Sequence, residues 1–320
     1  MPNKAIKLRT IFMGTSEFAA EILESLITTG YNIVSVYTQP DKKAGREQEV
    51  KKSAVKILAD KNKLPVFQPS KFNESVIEEL RVQKPDLIIL AAYGKIIPAS
   101  VLSLPGFGAL NVHASLLPKY RGPSPIQNAL LNGEKETGVT LMLMDEKIDT
   151  GDILGQKKTA IDKNETAQEL AKKLAKISSA LLLKTIPLWI ERKITPQKQN
   201  DSQATLCQLI EKEDGKIIWA EDAETIYNLF RAFTPWPGIF AYWEGESGPR
   251  RIKLNKIGFL KNNPETKHHI GEIFQIGEKI GVQCNLGVVI LEEVQLEGKT
   301  NMKIEEFMNG YQNFIGSILK

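Results

Sequence analysis

An asparagine and a histidine two positions apart, Asn111 and His113, close the apolar stretch Ala109-Leu110-Asn111-Val112-His113-Ala114, and a loop containing Pro118 runs on from Ser115 to Gly122. Successive side chains of an extended strand alternate between faces, so this spacing sets the carboxamide and the imidazole on one face, both aimed at a single point. A pair of fixed donors suits a carbonyl oxygen that takes on negative charge, because nothing has to reorganise as the charge develops. Beyond a second apolar segment, 139–144, the turn-forming run Asp149-Thr150-Gly151-Asp152 offers a carboxylate that can move the proton an attacking amine must lose. Together these groups suit acyl transfer in which the substrate supplies the nucleophile. An α-amine with a pKa of about 8 is partly neutral near physiological pH, so no activated serine or cysteine is required.

Taken singly, each residue has an ordinary explanation. A histidine at a strand end is most often a hydrogen-bonded structural residue, Asn111 can form a turn, and Asp149 and Asp152 can be a solvated loop or helix caps. Their coincidence with a loop rich in Pro, Gly and Arg is harder to derive from packing alone.

The elements that must position them follow a regular rhythm. Apolar runs at 8–13, 33–38, 86–90, 109–112 and 139–144 alternate with amphipathic stretches at 17–28, 54–61 and 75–83. Such βαβ alternation predicts an α/β domain with a mostly parallel sheet. Ser16 is placed to cap the first helix and Gly30 to stop it. In sheets of this kind ligands gather at the carboxyl ends of the strands, where Gly14, Leu90, Ala91, Asn111 and His113 all fall. A single glycine, Gly14, stands where a dinucleotide fold would carry G-x-G-x-x-G, so a phosphate cradle is poorly supported. A long amphipathic helix is expected at 165–192, then a polar linker around 195–203. A helix at 223–233 and short strands at 239–243, 252–257, 271–275, 279–284 and 288–291 predict a small barrel, with a last helix at 304–310. The expected domains are 1–192, a linker at 193–208, and 209–320.

The chain has 320 residues, 42% of them hydrophobic and 25% charged, which is ordinary for a globular protein with two cores. Its two cysteines, Cys207 and Cys284, have neither disulfide-scaffold nor metal-ligand spacing, so no metal is expected. No secretory or membrane-spanning run is apparent, and a cytoplasmic protein with no membrane partner is expected. No coiled coil or repeat appears, and a monomer is expected. Residues 1–205 carry 29 Lys and Arg against 22 Asp and Glu, whereas 206–320 carry 13 against 16. Basic residues cluster at Lys42, Lys43, Arg46, Lys51 and Lys52, at Lys184, Arg192, Lys193 and Lys198, and at Arg250, Arg251, Lys253, Lys256, Lys261 and Lys267. Clusters like these suit a phosphate backbone, although a solvated face explains any one of them equally well. Trp236, between two prolines, suits either stacking on a base or an interdomain core.

The run from Asn111 to Gly122, the segment from Gly138 to Asp145, and Asp149-Thr150-Gly151-Asp152 together resemble the signature of the folate-dependent formyltransferases. Further stretches are similar to members that act on methionyl initiator tRNA: Phe12 to Phe18, Thr38-Gln39-Pro40-Asp41 with Ala44-Gly45-Arg46, and Ala232 to Gly238. The resemblance extends from about Lys7 to the end of the chain. It implies a Rossmann-like catalytic domain followed by an OB-like β-barrel domain, with 10-formyltetrahydrofolate as formyl donor. It implies that Asn111, His113 and Asp149 are catalytic, that Ser115, Leu116, Leu117 and Pro118 contact the folate, and that backbone around Leu90, Ala91, Ala92 and Tyr93 lines the pterin pocket. Arg46 matches an arginine of a loop that reaches the acceptor end of the tRNA; Lys42, Lys43, Lys198, Arg250 and Arg251 are the further cations expected at RNA. Where family members usually continue past that arginine with a proline- and lysine-rich stretch, this chain has Glu47 to Ala54, with two acids. Two other functions fit parts of the pattern. An amino-sugar nucleotide formyltransferase would share the trio but leave the basic loop around Arg46 without a purpose. A non-catalytic nucleotide- or RNA-binding module would leave the trio itself without one.

Overall fold

The structure is a computed structural model and describes residues 7–44, 49–245, 248–262 and 268–320. The chain packs into two compact units that interleave in sequence. The first takes residues 1–125, 136–161 and 170–208, and the second 126–135, 162–169 and 209–320.

In the first unit, β1 (Thr10–Gly14) leads into α1 (Glu17–Thr28), then β2 (Ile33–Tyr37), the ribbon β3 (Lys42–Ala44) and β4 (Glu49–Lys51), α2 (Ala54–Lys61) and β5 (Val66–Phe67). There follow α3 (Glu74–Val82), β6 (Leu87–Ala91), α4 (Ala99–Leu102), β7 (Ala109–His113), α5 (Pro125–Leu131), β8 (Glu136–Leu143), β9 (Ile153–Ala160) and α6 (Ala167–Ile190), of which residues 126–131 of α5 and 167–169 of α6 belong to the second unit. Seven strands form one sheet in the order β5-β2-β1-β6-β7-β8-β9. Its first five strands are parallel, and β8 and β9 are antiparallel additions beyond β7. The strand expected at 139–144 therefore runs opposite to the βαβ rhythm.

Helix α1 shows why local sequence is a good guide here. Ser16 accepts a hydrogen bond from the Ala19 amide, a cap worth about 1 kcal/mol. Ala19, Ile22, Leu23 and Leu26 recur at helical spacing and are all buried, and Gly30 sits just past the end with a φ of 82°. Strands β1 and β6 are buried along their whole length, as central parallel strands covered on both faces must be.

In the second unit, α7 (Ala223–Phe233) precedes β10 (Ile239–Gly245), β11 (Gly248–Leu260), β12 (Ile273–Ile276), β13 (Lys279–Gln283), β14 (Val288–Leu296), β15 (Met302–Lys303) and α8 (Ile304–Gly310). The strands form an antiparallel OB-like sheet in the order β10-β11-β14-β13-β12, with β15 on β14. Residues 316–320 bridge its two edges. Lys320 exchanges backbone hydrogen bonds of 2.7 and 2.9 Å with Tyr242 of β10, while the Leu319 amide donates to Gly271 and the Ile273 amide to Ser317, each at 2.9 Å. The barrel is thus closed by a segment with no strand signal of its own. Among the described residues, no helix is long and apolar enough to cross a membrane.

Candidate active site

The parallel register places Leu90 beside Asn111 and Ala91 beside Val112, with Gly14 beside Ala91. Three strand ends thus meet where the loop beginning at Ala114 departs. On the other side of β7 the antiparallel register sets Asn111 against Met142 and His113 against Thr140.

The side chains of Asn111 and His113 both turn toward Asp149. Asn111 Nδ2 donates to Asp149 Oδ1 at 3.2 Å, the Gly122 amide donates to Asp149 Oδ2 at 2.8 Å, and His113 Nδ1 lies 3.5 Å from Oδ2. The point of convergence expected from the spacing exists, and the Asp149 carboxylate occupies it. The other ring nitrogen, His113 Nε2, is 2.8 Å from the Tyr120 carbonyl oxygen. A carbonyl can only accept, so Nε2 carries a hydrogen, and the opposite nitrogen then faces a carboxylate. Both ring nitrogens thus face oxygen atoms of the chain. His113 is 6% exposed, and the side chain of Asp149 13%, so their contact is largely shielded from water.

Asp149 has a φ of 53°, a left-handed backbone that costs a residue with a Cβ about 1–2 kcal/mol. Two residues on, a Cβ at Gly151 would lie 1.7 Å from the Leu143 carbonyl oxygen, so only glycine lets the turn approach the end of β8 this closely. Gly122 is constrained likewise, with a φ of 116° and a Cβ position 2.4 Å from the Cys207 carbonyl oxygen.

The residues expected at the folate are arranged unequally. Ser115 is fully buried, and its hydroxyl donates to the Lys119 carbonyl at 2.6 Å. Thr140 braces the same loop: its hydroxyl donates to the Ser115 carbonyl at 2.7 Å and accepts from the Leu117 amide at 3.0 Å. Gln156 Nε2 adds bonds to Leu117 O and Thr140 Oγ1. Leu117 is buried, and Leu116 and Pro118 are half-buried. Leu90, Ala91 and Tyr93 bury their side chains, whereas Ala92, with a φ of 42°, is exposed. What this strand end can present to a ligand is therefore Ala92 and backbone. Gln39 and Thr15 hold it from below by donating to the Tyr93 carbonyl at 2.9 and 3.0 Å. The Tyr93 hydroxyl is pushed up to about 12 by burial.

The basic residues are scattered. Arg46 lies outside the described residues. Lys42 is exposed on β3, and Lys43 follows it on the same strand. Lys198 lines a depression of about 390 Å³ with Asp145, Glu146, Asp152 and Asp201, carboxylates that oppose its attraction for phosphate. Arg250 lies over Trp243 and Tyr311 at 5.9 and 5.8 Å, and Arg251 over Phe240 at 3.5 Å. Trp236 is 54% exposed, which removes the core role considered for it.

Reading the sequence missed the strap across the site. Residues 204–207, beyond the polar linker stretch, pair with the loop before Gly122. The Arg121 amide donates to Thr205 O and the Cys207 amide to Arg121 O, both at 2.8 Å, and Thr205 Oγ1 accepts from the Tyr120 amide at 2.8 Å. Arg121, 6% exposed, directs its guanidinium to Gln199 and Asp201. A polar composition does not distinguish a tether from a strap that pairs with a loop, so no local signal marked Gln199, Thr205 or Cys207. Among the described residues, no group of three or more His, Cys, Asp or Glu side chains is placed to hold a metal.

Residues 7–186 match the family model described as formyl transferase, and 209–312 the one described as formyl transferase, C-terminal domain. The chain is 40% identical over 314 residues to a methionyl-tRNA formyltransferase of Geotalea uraniireducens, covering 98% of each protein. It is 44% identical over 316 residues to one of Campylobacter curvus, covering 97% of this chain and 99% of that relative. Among solved structures, its fold is similar to an N-formyltransferase from Helicobacter canadensis in complex with folinic acid and dTDP-3-aminofucose. That likeness has a TM-score of 0.65 at 21% identity, over 89% of this chain and 98% of the other.

Proposed function

The chain belongs to the formyl transferase family, and from that premise we infer that it transfers the formyl group of 10-formyltetrahydrofolate to the α-amine of methionyl initiator tRNA, the step that prepares the initiator for translation. The observation that carries the choice of acceptor is identity of 40% or more, over nearly the full length of both proteins, to methionyl-tRNA formyltransferases, whereas the sugar N-formyltransferase shares the fold at 21%. A purely binding role is set aside by membership of a transferase family. In this reading the protein acts in the cytoplasm, as a monomer and without a metal.

Asn111, His113 and Asp149 carry the reaction in this reading. Asn111 has two amide hydrogens; one is held by Asp149, which turns the other toward the space beyond β7 for the formyl oxygen. The His113 ring, held by the Tyr120 carbonyl, is placed to polarise the same oxygen as it becomes negative. As the amine nitrogen bonds to the formyl carbon, Asp149 relays the proton that the amine loses to the folate nitrogen, which departs as the carbonyl re-forms and the formyl C–N bond breaks; the Gly122 amide and Asn111 hold its carboxylate in place meanwhile. The donor is a substrate, and the fit for its flat pterin is the strand end at Ala92, where exposed backbone lies among buried side chains. Arg46, by resemblance, and Lys42, Lys43, Arg250 and Arg251, by their charge, are the cations assigned to the tRNA.

Incubation of the protein with 10-formyltetrahydrofolate and, separately, methionyl initiator tRNA or an amino-sugar nucleotide tests the assignment. Formyl-methionyl-tRNA is the expected product. Transfer to the sugar amine alone would refute the acceptor while leaving the trio in place.

A further inference from the structure

We propose that Gln199, in the polar segment after α6, is a positioning residue for formyl transfer: its amide fixes the backbone of the turn that carries Asp149 and ties that turn to the loop facing His113. This rests on the role assigned to Asp149 above. Gln199 Nε2 donates to the carbonyls of Asp149 and Gly151 at 2.9 and 2.8 Å. Its Oε1 accepts from Arg121 Nε and from a terminal guanidinium nitrogen at 3.1 and 2.8 Å. A guanidinium has no acceptor, so the oxygen must face Arg121 and the NH2 group must face the turn. The amide therefore has one orientation, and each of its polar atoms is engaged.

The turn needs such a hold. Asp149 is in the left-handed region at φ 53°, a conformation that persists only where the surroundings impose it. Gly151 presses on the end of β8, which anchors one side of the turn, and Gln199 bonds the two carbonyls that flank Thr150. On the other side Arg121 directly follows Tyr120, whose carbonyl faces His113 Nε2. One side chain thus sets the spacing between the carboxylate and the imidazole, although it touches neither. Arg121 is itself steadied by Asp201 at 2.7 Å.

The test is steady-state formylation of methionyl-tRNA by the full chain carrying Gln199→Met, Gln199→Glu, Asp149→Ala, or Gln199→Met with Asp149→Ala. Methionine keeps the length of the side chain and removes both amide donors and the acceptor. Glutamate keeps acceptors for Arg121 and sets a carboxylate against two carbonyl oxygens. Both Gln199 variants should lower kcat by about 10- to 100-fold, the scale of a misplaced reacting group, with KM for donor and tRNA within about twofold of the parent. Because Gln199 acts through Asp149, Gln199→Met should cost less than about twofold more in the Asp149→Ala background. A Gln199→Met protein with parental kcat, or losses that multiply in the double variant, would overturn the proposal. Should the methionine variant not fold, Gln199→Glu carries the same comparison. Parental turnover in Asp149→Ala would instead overturn the site assignment, and the hold with it, whereas a slow Asp149→Ala beside a normal Gln199→Met would remove the hold alone.

Discussion

In the first unit the polar groups of the site turn inward. His113 and Arg121 are each 6% exposed, and their polar atoms end on carbonyls, carboxylates and an amide of their own chain. In the second unit Arg250 and Arg251 are half-buried and rest on the aromatic rings of a β-sheet, and Lys216 lies exposed 5.7 Å from the ring centre of Tyr242. A cation on a ring surrenders part of its solvation and keeps its charge available to a partner. A cation bonded on every side is a structural part whose removal moves its neighbours. In the proposed function the first arrangement serves the chemistry and the second a surface that meets a polyanion, so substitutions in the two units should fail differently.

The largest effect expected is from His113→Ala or Asn111→Ala, which should lower kcat by about a hundredfold or more while leaving KM for tRNA near its parental value. A parental kcat in the His113 variant would break the contrast at its root. Next comes Gly151→Ala. A methyl group 1.7 Å from a backbone oxygen cannot be relieved by a rotamer change, so the turn must move, at a cost of about 1–3 kcal/mol that chemical denaturation would record along with lost turnover. If stability and activity both survive, the turn is looser than its packing indicates. Arg251→Ala should be milder, raising KM for tRNA several-fold at moderate salt, flattening the salt dependence by about one unit of slope and sparing KM for the folate. Equal changes for both substrates would erase the division of labour. The smallest effect concerns Cys284. Burial pushes its thiol up to about 12, against about 8.5 in an unfolded chain. The unfolded state loses this proton first, so stability contributed by the protonated thiol is present below pH about 8.5 and declines as pH rises from there toward 12. Denaturation midpoints at pH 8 and pH about 10 would show the fall, and Cys284→Ala should reduce it.

Much of the architecture could be read locally. Helices α1, α2, α7 and α8 have the bounds their apolar spacing predicts, and Ser16 and Ser53 cap the first two. Strands β1, β2, β6 and β7 lie within a residue or two of their apolar runs. The neighbourhood of Asn111 and His113 follows from alternation along β7, and both side chains do reach one carboxylate. The antiparallel direction of β8, however, was set by its pairing with β7, and the closing of the barrel by residues 316–320, which carry no alternating pattern.

What the sequence by itself determined is the kind of element at each stretch and the kinds of group available at the strand ends. Burial periodicity and capping act over a few residues, and residue types state directly what can donate, accept or carry charge. Only the tertiary structure decided which atoms meet. The carboxylate of Asp149 is bonded by residues 38 and 27 positions away, and its backbone by Gln199, 50 positions away. Such partners are chosen when strands take their register and loops pack, and a polar side chain has no periodic signature of the partner it will find.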